Sequence, residues 1–445
     1  MEPIEQADRS ELIALQQERL RSLVTKAWET VSFYRKRWEA AGLRPEDIRT
    51  LEDLRRIPIV TKADFEEDLR TNPPFGSYQG TASPARIHAS SGITGEPRPI
   101  FCTRGDCEQF ARLSARRLRA QGVKPGDLVQ VTLPYALYIG GTIALEGAIE
   151  LGAGVIPTGT GAMTPSQRQI EIARSWRPTV LCSTPSYALR LADVASEMGL
   201  DPARDFRFRI IYVTAEVLPP EMRHEIEQRW NARVYDNFGS VEAAASTYEC
   251  HCRNGWHISE DAYIFEVVDP ETGEPLPPGD EGVLVITSLF REASPFFRYR
   301  VGDVVSLWAE RCDCGRTFRR MSPVRGRADE LLKLRGISVY PTAIERVLRT
   351  FPALGLEWYL VLSSPGSVQE IAVQVEAASQ LGAEERAALA LRVADQLKQE
   401  IGVRPDVEIF DPGQLVPEGR LGAQVKTRRV LYRSPAAAPA LKDTK

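Results

Sequence analysis

The chain has 445 residues, 43% hydrophobic and 26% charged, a composition typical of a globular protein with enough apolar material for two or three domains. Lysine and arginine total 56 against 60 acidic residues, and the net charge of −4 disfavours nucleic acid or a membrane surface as a partner. The N-terminus lacks the layout of a secretory signal and no apolar run is long enough to span a bilayer, so we expect a cytoplasmic protein.

Apolar spacing predicts the first secondary-structure elements in chain order. Residues 11–41 repeat apolar positions every three or four residues, which predicts a pair of amphipathic helices, and Thr61 is placed to cap a helix over 62–69. From 105 to 216, helical patterns alternate with short β-rich runs. The predicted strands of this region cover 128–134, 153–159, 179–185 and 208–216. The alternation predicts a largely parallel sheet covered by helices, with functional groups at the C-terminal ends of its strands.

The remainder of the chain predicts a second kind of architecture. The runs 282–289 and 296–308 are typical of antiparallel strands in a smaller β-rich region. After residue 326 the pattern resets to a compact mixture of helices and strands. The expected fold class is therefore α/β: a large N-terminal domain (1–326) with mixed parallel sheets and a β-rich subregion, a small α+β C-terminal domain (327–435), and a disordered tail (436–445).

The stretch 88–106, HASSGITGEPRPIFCTRGD, is dense in hydroxyls and glycines. Glycine turns and small hydroxyls can close around a phosphate, so the candidate contacts are Ser90, Ser91, Gly92, Thr94 and Gly95. The P-loop pattern of nucleotide hydrolases fails, because Glu96 and a proline follow Gly95 where a Lys-Ser/Thr pair is required. The structural alternative is a surface hairpin between two strands.

The order Ser-Ser-Gly-x-Thr-Gly-x-Pro resembles the ATP-phosphate loop of the adenylate-forming enzymes, and the preceding His-Ala resembles their phenylacetate–coenzyme A ligase group. Four further blocks stand in the order that this family predicts: VTAE (213–216), YDNFGSVEAA (235–244), FRYRVGDVV (297–305) and GRADELLKLRGISVYP (326–341). The resemblance covers essentially the whole chain. It implies an AMP-forming acid–thiol ligase that activates an aromatic carboxylic acid with ATP and transfers it to coenzyme A as co-substrate.

The resemblance also implies a nucleotide site. Its residues would be Ala215, Glu216, Asp236, Asn237, Phe238, Gly239, Ser240, Asp303 and Arg327. Glu242 would hold Mg²⁺ on the phosphates, where a hard cation relieves the repulsion between two anionic reactants. Val241 stands where the family usually carries a hydroxyl, and Glu96 stands where most relatives have lysine. Arg98 is therefore a candidate source of the missing positive charge, the alternative being weaker ATP binding.

By the same resemblance the C-terminal domain is a mobile lid. Asp329 would be its hinge, Lys333 would lie in the loop that swings towards the thiol substrate, and Lys426 would be the catalytic lysine that bridges the attacking carboxylate and the α-phosphate. The structural alternatives are an ordinary charged hairpin at 326–341 and a solvated lysine at 426.

The segment LPYALYIGG (133–141) is where relatives hold the acid. The implied pocket residues are Tyr135, Ala136, Gly140, Gly141 and Pro185. Tyr135 is the candidate for ring stacking, and a plain core tyrosine is the alternative. No arginine or lysine in these segments is placed to pair with a second carboxylate, which favours a monocarboxylic acid.

Four of the seven cysteines form two tight pairs, Cys250 with Cys252 and Cys312 with Cys314, and His257 follows the first pair. Three thiolates and an imidazole would complete a tetrahedral structural Zn²⁺ site. Some relatives have ligands at Cys250, His257, Cys312 and Cys314, with Cys252 as the competing ligand. The alternative is reduced, unliganded surface cysteines.

Two rival functions stay open at this point. The acyl group could be delivered to a carrier-protein thiol or an amine, or the chain could be a non-catalytic nucleotide-binding regulator, which need not retain Lys426. A homodimer is the default expectation for an enzyme of this size.

Overall fold

The computed structural model describes residues 1–81, 83–90, 97–334, 337–363, 371–415 and 429–433. In these ranges the α-helices are α1 (Arg9–Thr30), α2 (Ser32–Ala40), α3 (Lys62–Thr71), α4 (Arg104–Ala120), α5 (Gly140–Leu151), α6 (Ser166–Trp176), α7 (Pro185–Glu197), α8 (Pro202–Asp205), α9 (Pro220–Trp230), α10 (Pro341–Arg349) and α11 (Ala383–Ile401). Short 3-10 helices cover Pro3–Gln6, Pro45–Asp47, Asp53–Arg56 and Ala328–Glu330. No helix in this part of the chain is both long enough and apolar enough to cross a membrane.

The strands of the described ranges follow in chain order. They are β1 (Arg86–Ser90), β2 (Arg98–Cys102), β3 (Leu128–Val131), β4 (Gly154–Ile156), β5 (Val180–Ser183), β6 (Ile210–Thr214), β7 (Arg233–Asn237), β8 (Thr247–Tyr248), β9 (Trp256–Ile258), β10 (Tyr263–Val268), β11 (Gly282–Ser288), β12 (Tyr299–Val305), β13 (Leu307–Trp308), β14 (Arg320–Met321), β15 (Gly326–Arg327), β16 (Leu332–Leu334), β17 (Ile337–Val339), β18 (Leu354–Ser363), β19 (Ile371–Ala377), β20 (Asp406–Phe410) and β21 (Val430–Arg433).

The N-terminal helices form where their apolar spacing predicts them. α1 buries Leu12, Leu20, Leu23 and other positions at three- and four-residue spacing, which places one face on the core. The hydroxyl of Thr61 accepts a hydrogen bond from the backbone N–H of Asp64 and caps α3, as predicted.

A five-stranded parallel sheet forms the centre of the N-terminal part. Its strand order is β4-β3-β5-β6-β7, and all four pairings are parallel, which confirms the predicted sheet. The predicted strand 153–159 is shorter, ending at Ile156, because Thr158 and Gly159 turn to donate hydrogen bonds to the carbonyl of Val131, each at 3.0 Å. The helices α4 and α5 pack together against one face of this sheet.

The β-rich subregion consists of antiparallel sheets. β10, β11 and β12 pair in sequence, and β8, β9, β14 and β13 form another sheet. The predicted strand 296–308 is two strands, because Ser306 leaves the ladder to exchange hydrogen bonds with Ser322.

The chain divides into two compact units. The first comprises Met1–Glu216 and Ile226–Val324, and the second comprises Val217–Glu225 and Arg325–Lys445. Within the second unit, a mixed sheet of order β20-β19-β18-β21 buries Trp358 against apolar residues of α10 and α11. The hairpin β16-β17 belongs to the same unit.

Candidate active site and cysteine cluster

The carboxyl ends of four parallel strands present the candidate site residues. Tyr135 follows β3, Pro185 follows β5, Ala215 and Glu216 follow β6, and Phe238 follows β7. In the order β4-β3-β5-β6-β7 the chain adds β4 on one side of β3 and then β5, β6 and β7 on the other, so the winding direction of the sheet reverses between β3 and β5. Ligands of open α/β sheets bind in the crevice outside such a reversal. This edge is therefore where the fold itself favours a ligand site.

The turn after β6 links two sets of predicted residues. Ala215 adopts a left-handed backbone with φ of +73°, a conformation that non-glycine residues take at a cost and that clusters at functional sites. The carboxylate of Glu216 accepts hydrogen bonds from the backbone N–H of Ser186 at 3.0 Å and from its hydroxyl at 2.8 Å. The predicted adenine element therefore contacts the start of α7, where Pro185 is the first helical residue.

The block after β7 is held by internal hydrogen bonds. The backbone N–H of Asn237 donates to the carboxylate of Asp236 at 2.8 Å, and the side chain of Asn237 accepts from Gln121 at 2.7 Å. Phe238 is partly buried and stacks on Trp256, with ring centroids 6.0 Å apart. Gly239 and Ser240 follow in a partly exposed turn.

Glu242 is 6% exposed, and Arg98, 3% exposed, forms a short ion pair with it. Burial raises the pKa of Glu242, but the charge of Arg98 and hydrogen bonds from its own backbone N–H and from Ser240 lower it further, so the pKa lies below its ordinary value. The side chain is therefore a buried carboxylate, the hard oxygen ligand that Mg²⁺ requires.

Arg98 is a sequence candidate for a phosphate contact, and in the structure it forms an ion pair with Glu242. Its guanidinium lies over the rings of Phe65, at 5.3 Å, and Tyr299, at 5.5 Å. A second buried arginine, Arg291, is fully buried and donates to the carbonyls of Val241 at 2.8 Å and Glu242 at 3.0 Å. Sequence reasoning missed Arg291, because an arginine in the run TSLFREAS carries no local sign of burial.

The phosphate hairpin is described only at its base. β1 and β2 pair antiparallel up to Ser90 opposite Arg98, and Ser91, Gly92, Thr94, Gly95 and Glu96 lie outside the described residues. His88 donates from Nδ1 to the carbonyl of Leu137 at 3.1 Å, and the backbone N–H of Ala89 donates to the same oxygen. Burial lowers the pKa of His88 to about 4. A neutral histidine thus joins the hairpin to the loop of the predicted acid pocket.

The predicted acid-pocket residues other than Pro185 lie at the end of β3 and the start of α5. A Cβ on Gly141 would come within 2.4 Å of the carbonyl oxygen of Pro134, so this position requires glycine. Gly140 lies against Tyr138, and Ala136 is exposed. The hydroxyl of Tyr135 is buried without a hydrogen-bond partner, which is unusual for a core tyrosine.

The remaining predicted residues follow none of the strands of the parallel sheet. Asp303, on β12, is 9% exposed. Within the second unit, Arg327 donates to both oxygens of Asp329 at 2.9 and 3.0 Å. Lys333 pairs through its backbone with residue 338 in the antiparallel pair β16-β17. Lys426 lies outside the described residues.

The cysteine cluster brings four candidate ligands together. The ligand atoms of Cys250, His257, Cys312 and Cys314 all lie within 4.8 Å of one another. Cys250, His257 and Cys312 are buried and Cys314 is partly buried. The sulfur of Cys252 is not a member of this group, and only its backbone N–H is directed at Cys250.

The surroundings of the cluster fit a tetrahedral metal. His257 donates from Nδ1 to the carbonyl of Phe318 at 3.4 Å, which leaves Nε2, 3.3 Å from the sulfur of Cys314, as the inward-facing ligand atom. Hydrogen bonds from Cys250 and Arg316 hold the pKa of Cys314 well below its usual range. Three sulfurs and one imidazole nitrogen are the donor set of structural zinc sites.

Comparison with known proteins assigns both parts of the chain. The family model described as AMP-binding enzyme matches residues 14–290, and that of the AMP-binding enzyme C-terminal domain matches residues 336–433. The chain is 38% identical over 447 residues to a phenylacetate-coenzyme A ligase of Thermus thermophilus, covering 96% of this chain and 98% of that protein.

Solved structures of one enzyme in two states are similar to this chain. A 2-hydroxyisobutyryl-CoA ligase in the postadenylation state with 2-HIB-AMP is 30% identical with a TM-score of 0.88, covering 96% of this chain and 91% of that chain. The same ligase with 2-HIB-AMP and CoA in the thioesterification state is 31% identical with a TM-score of 0.72 and the same coverage.

Proposed function

Because the chain belongs to the AMP-binding enzyme family, we propose that it is an AMP-forming acid–thiol ligase that converts an aromatic carboxylic acid into its coenzyme A thioester. The observation that carries this proposal is the match over both domains to ligases of this chemistry. The buried Glu242 carboxylate at the ligand edge of the sheet supports it.

In the first half-reaction a carboxylate oxygen of the acid attacks the α-phosphorus of ATP. The bond from that phosphorus to the bridging oxygen breaks, and pyrophosphate leaves with the electron pair. Lys426 neutralises the charge that develops on the attacking and phosphoryl oxygens. The product is an acyl-adenylate, in which AMP is a far better leaving group than oxide.

Glu242 would hold Mg²⁺, which supplies Lewis-acid stabilisation of the phosphate charge when bound. Arg98 pairs with this carboxylate as its counter-ion. Its charge keeps Glu242 ionised in a buried site. Ser240, which donates to Glu242, acts in the same direction.

In the second half-reaction the thiolate of coenzyme A attacks the adenylate carbonyl, the carbon–oxygen bond to AMP breaks, and the thioester forms. The smaller domain acts as a lid that turns about Asp329, withdraws Lys426 and presents the loop with Lys333. The Asp329 carboxylate is bound by Arg327. Release of this ion pair by nucleotide would couple substrate binding to the hinge.

Cys250, His257, Cys312 and Cys314 would bind a structural Zn²⁺ ion. A site with four protein ligands leaves no open coordination position, so its role is to hold two loops together. The loop of Arg316 is also bound to Glu5, at 2.6 Å, so the metal would fix the N-terminal segment as well.

The test is acid-dependent pyrophosphate release from ATP·Mg²⁺ across aryl and aliphatic acids, with and without coenzyme A. We expect release with an aryl acid, stimulation by coenzyme A, and loss of both in Lys426→Ala. Release without stimulation would indicate a carrier-protein or amine acceptor. No release with any acid would contradict the ligase and favour the nucleotide-binding regulator.

A further inference from the structure

Glu242 lies in the turn between β7 and β8, where neither a helix nor a strand fixes its backbone. Within this turn the hydroxyl of Ser240 accepts a hydrogen bond from the backbone N–H of Ala243 at 3.1 Å. The carbonyls of Val241 and Glu242 accept hydrogen bonds from outside the turn, from Nη1 of Arg291 at 2.8 and 3.0 Å. An arginine 49 residues further along the chain therefore holds the backbone of the proposed metal ligand.

Arg291 is buried between two aromatic rings. It is 0% exposed, and its guanidinium carbon lies 4.9 Å from the ring centroid of Phe296 and 5.2 Å from that of Phe110. Its Nε and Nη2 atoms have no hydrogen-bond partner among the described residues. The hydrogen bonds of this guanidinium thus go to the turn of Glu242, where two carbonyl dipoles and two ring faces stabilise the buried charge.

The loop that carries Arg291 is anchored independently of Glu242. The carboxylate of Asp106, in the first turn of α4, accepts hydrogen bonds from the backbone N–H groups of Glu292 at 3.1 Å and Ala293 at 3.3 Å. The N–H of Gly80 donates to the carbonyl of Ala293 at 2.7 Å. Because these bonds fix the neighbours of Arg291 in the chain, the arginine can determine where the turn lies instead of following it.

Two arginines contact Glu242 through different groups. Arg98 forms an ion pair with the carboxylate, whereas Arg291 bonds the backbone carbonyl. The contact with Arg291 uses neither carboxylate oxygen, so it can persist when these oxygens bind a cation. Arg291 is therefore suited to hold the ligand in place, and Arg98 is suited to balance its charge.

We propose that Arg291 is a positioning residue for Mg²⁺ binding, because it fixes the backbone of Val241 and Glu242 before the metal is bound. The inference rests on the proposed function, which assigns Mg²⁺ to Glu242. Mg²⁺ demands near-ideal octahedral geometry, so a displaced carboxylate binds it less well. Residues that orient a metal ligand without touching the metal commonly contribute about 10- to 100-fold to metal affinity.

The experiment measures the dissociation constant of ATP by calorimetry with saturating Mg²⁺ and in metal-free buffer, without any acid. No chelator is added, because it would also remove zinc from the cysteine cluster. For the wild-type chain we expect ATP to bind at least about 10-fold more tightly with Mg²⁺ than without it. In Arg291→Met this ratio should fall below about threefold, because the turn loses the donor that holds the carboxylate in place.

Arg320→Met is the matched control. Arg320 is 5% exposed, lies over the ring of Trp308 at 5.8 Å, and donates to the carbonyls of Asn254 at 2.9 Å and Glu310 at 3.2 Å. Neither carbonyl belongs to a candidate residue of the nucleotide site. Both variants should lower Tm, since each leaves two carbonyls without a donor, but Arg320→Met should keep the wild-type ratio of ATP affinities.

Arg291→Lys keeps a buried positive charge on a shorter side chain. We expect its ratio of ATP affinities to lie between those of the wild type and Arg291→Met, because the ammonium replaces the guanidinium only in part. This variant carries the test if Arg291→Met does not fold, and a wild-type ratio in it would then contradict the proposal.

An equal loss of ATP affinity with and without Mg²⁺ in Arg291→Met would overturn the proposal, because a purely structural arginine would act in that way. A fall of the ratio in Arg320→Met as large as that in Arg291→Met would also overturn it. A wild-type affinity for ATP that does not depend on Mg²⁺ would leave no metal effect for Arg291 to support.

The ligase itself is tested separately, because the ATP titration needs no acid. An unchanged ratio in Arg291→Met together with acid-dependent pyrophosphate release would remove this inference and leave the ligase intact. Absence of pyrophosphate release with every acid would instead contradict the ligase.

Discussion

The cysteine cluster and the carboxyl edge of the parallel sheet differ in how their polar groups are satisfied. Around the cluster, Tyr248 and Arg316 both donate to the carboxylate of Glu5, at 2.7 and 2.6 Å, and His257 donates to a backbone carbonyl. At the sheet edge, the Nε2 of His88 and the hydroxyl of Tyr135 are buried without partners. Groups that bind one another stabilise the fold, and buried groups without partners at the ligand edge of the sheet are candidates for contacts to a ligand.

The largest expected effect is at Glu242. Glu242→Gln should lower acid-dependent pyrophosphate release about 100- to 1,000-fold, because a metal clamp contributes several kcal/mol to the stabilisation of transition-state charge. It should also lower Tm, because the charge of Arg98 loses its buried partner. Glu146→Gln removes a more exposed ion pair, that with Arg86, and should change the rate by less than about threefold. Equal rates of pyrophosphate release in Glu242→Gln and Glu146→Gln would show that Glu242 has no catalytic role beyond that of a structural carboxylate.

The next effect separates the two neighbouring cysteines of the cluster. Cys250→Ser should lose bound zinc, measured as metal per chain, and lower Tm by about 5 °C or more. Cys252→Ser should keep the bound zinc and the wild-type Tm, because the sulfur of Cys252 is not part of the cluster. Neither variant should change the relative rates with different acids. Loss of zinc in Cys252→Ser, with zinc retained in Cys250→Ser, would show that Cys252 is the ligand.

A pH dependence should come from His88 at the sheet edge. Its pKa is lowered to about 4 from 6.5. Between pH 4 and pH 6.5 the histidine is therefore protonated in the unfolded chain and neutral in the folded chain. The free energy of unfolding should therefore fall as the pH drops from 6.5 to 4, by roughly 3 kcal/mol in total. His88→Gln should reduce this slope, and His224→Gln, at an exposed position, should not. Identical slopes in wild type and His88→Gln would refute the assignment.

The smallest effect is expected in the phosphate loop. Glu96→Lys restores the positive charge that the family usually carries, so the apparent KM for ATP should fall a few-fold. The change should have no effect on zinc content or on Tm. An unchanged KM would mean that Glu96 does not weaken nucleotide binding.

The local pattern of the chain determined much of the fold and the family. Alternating helical and β-rich runs predict the parallel sheet, and the hydroxyl of Thr61 predicts the start of α3, because both depend on residues close in sequence. The blocks around Ala215, Glu242 and Asp303 point to the adenylate-forming family for the same reason. The match over both domains to AMP-binding enzymes confirms that resemblance.

Only the tertiary structure decided which charged groups meet. Arg98 and Glu242 are 144 residues apart, and nothing near either one in sequence predicts their ion pair. The sulfurs of Cys250 and Cys252 are chemically equivalent, so the choice between them depends on which side of the chain faces Cys312 and His257. Arg116 and Arg117 are adjacent on α4, but one binds Asp261 and the other has no carboxylate partner in the described chain. Pairing depends on the direction in which each side chain leaves the backbone and on the helix or strand packed against it, and local sequence specifies neither.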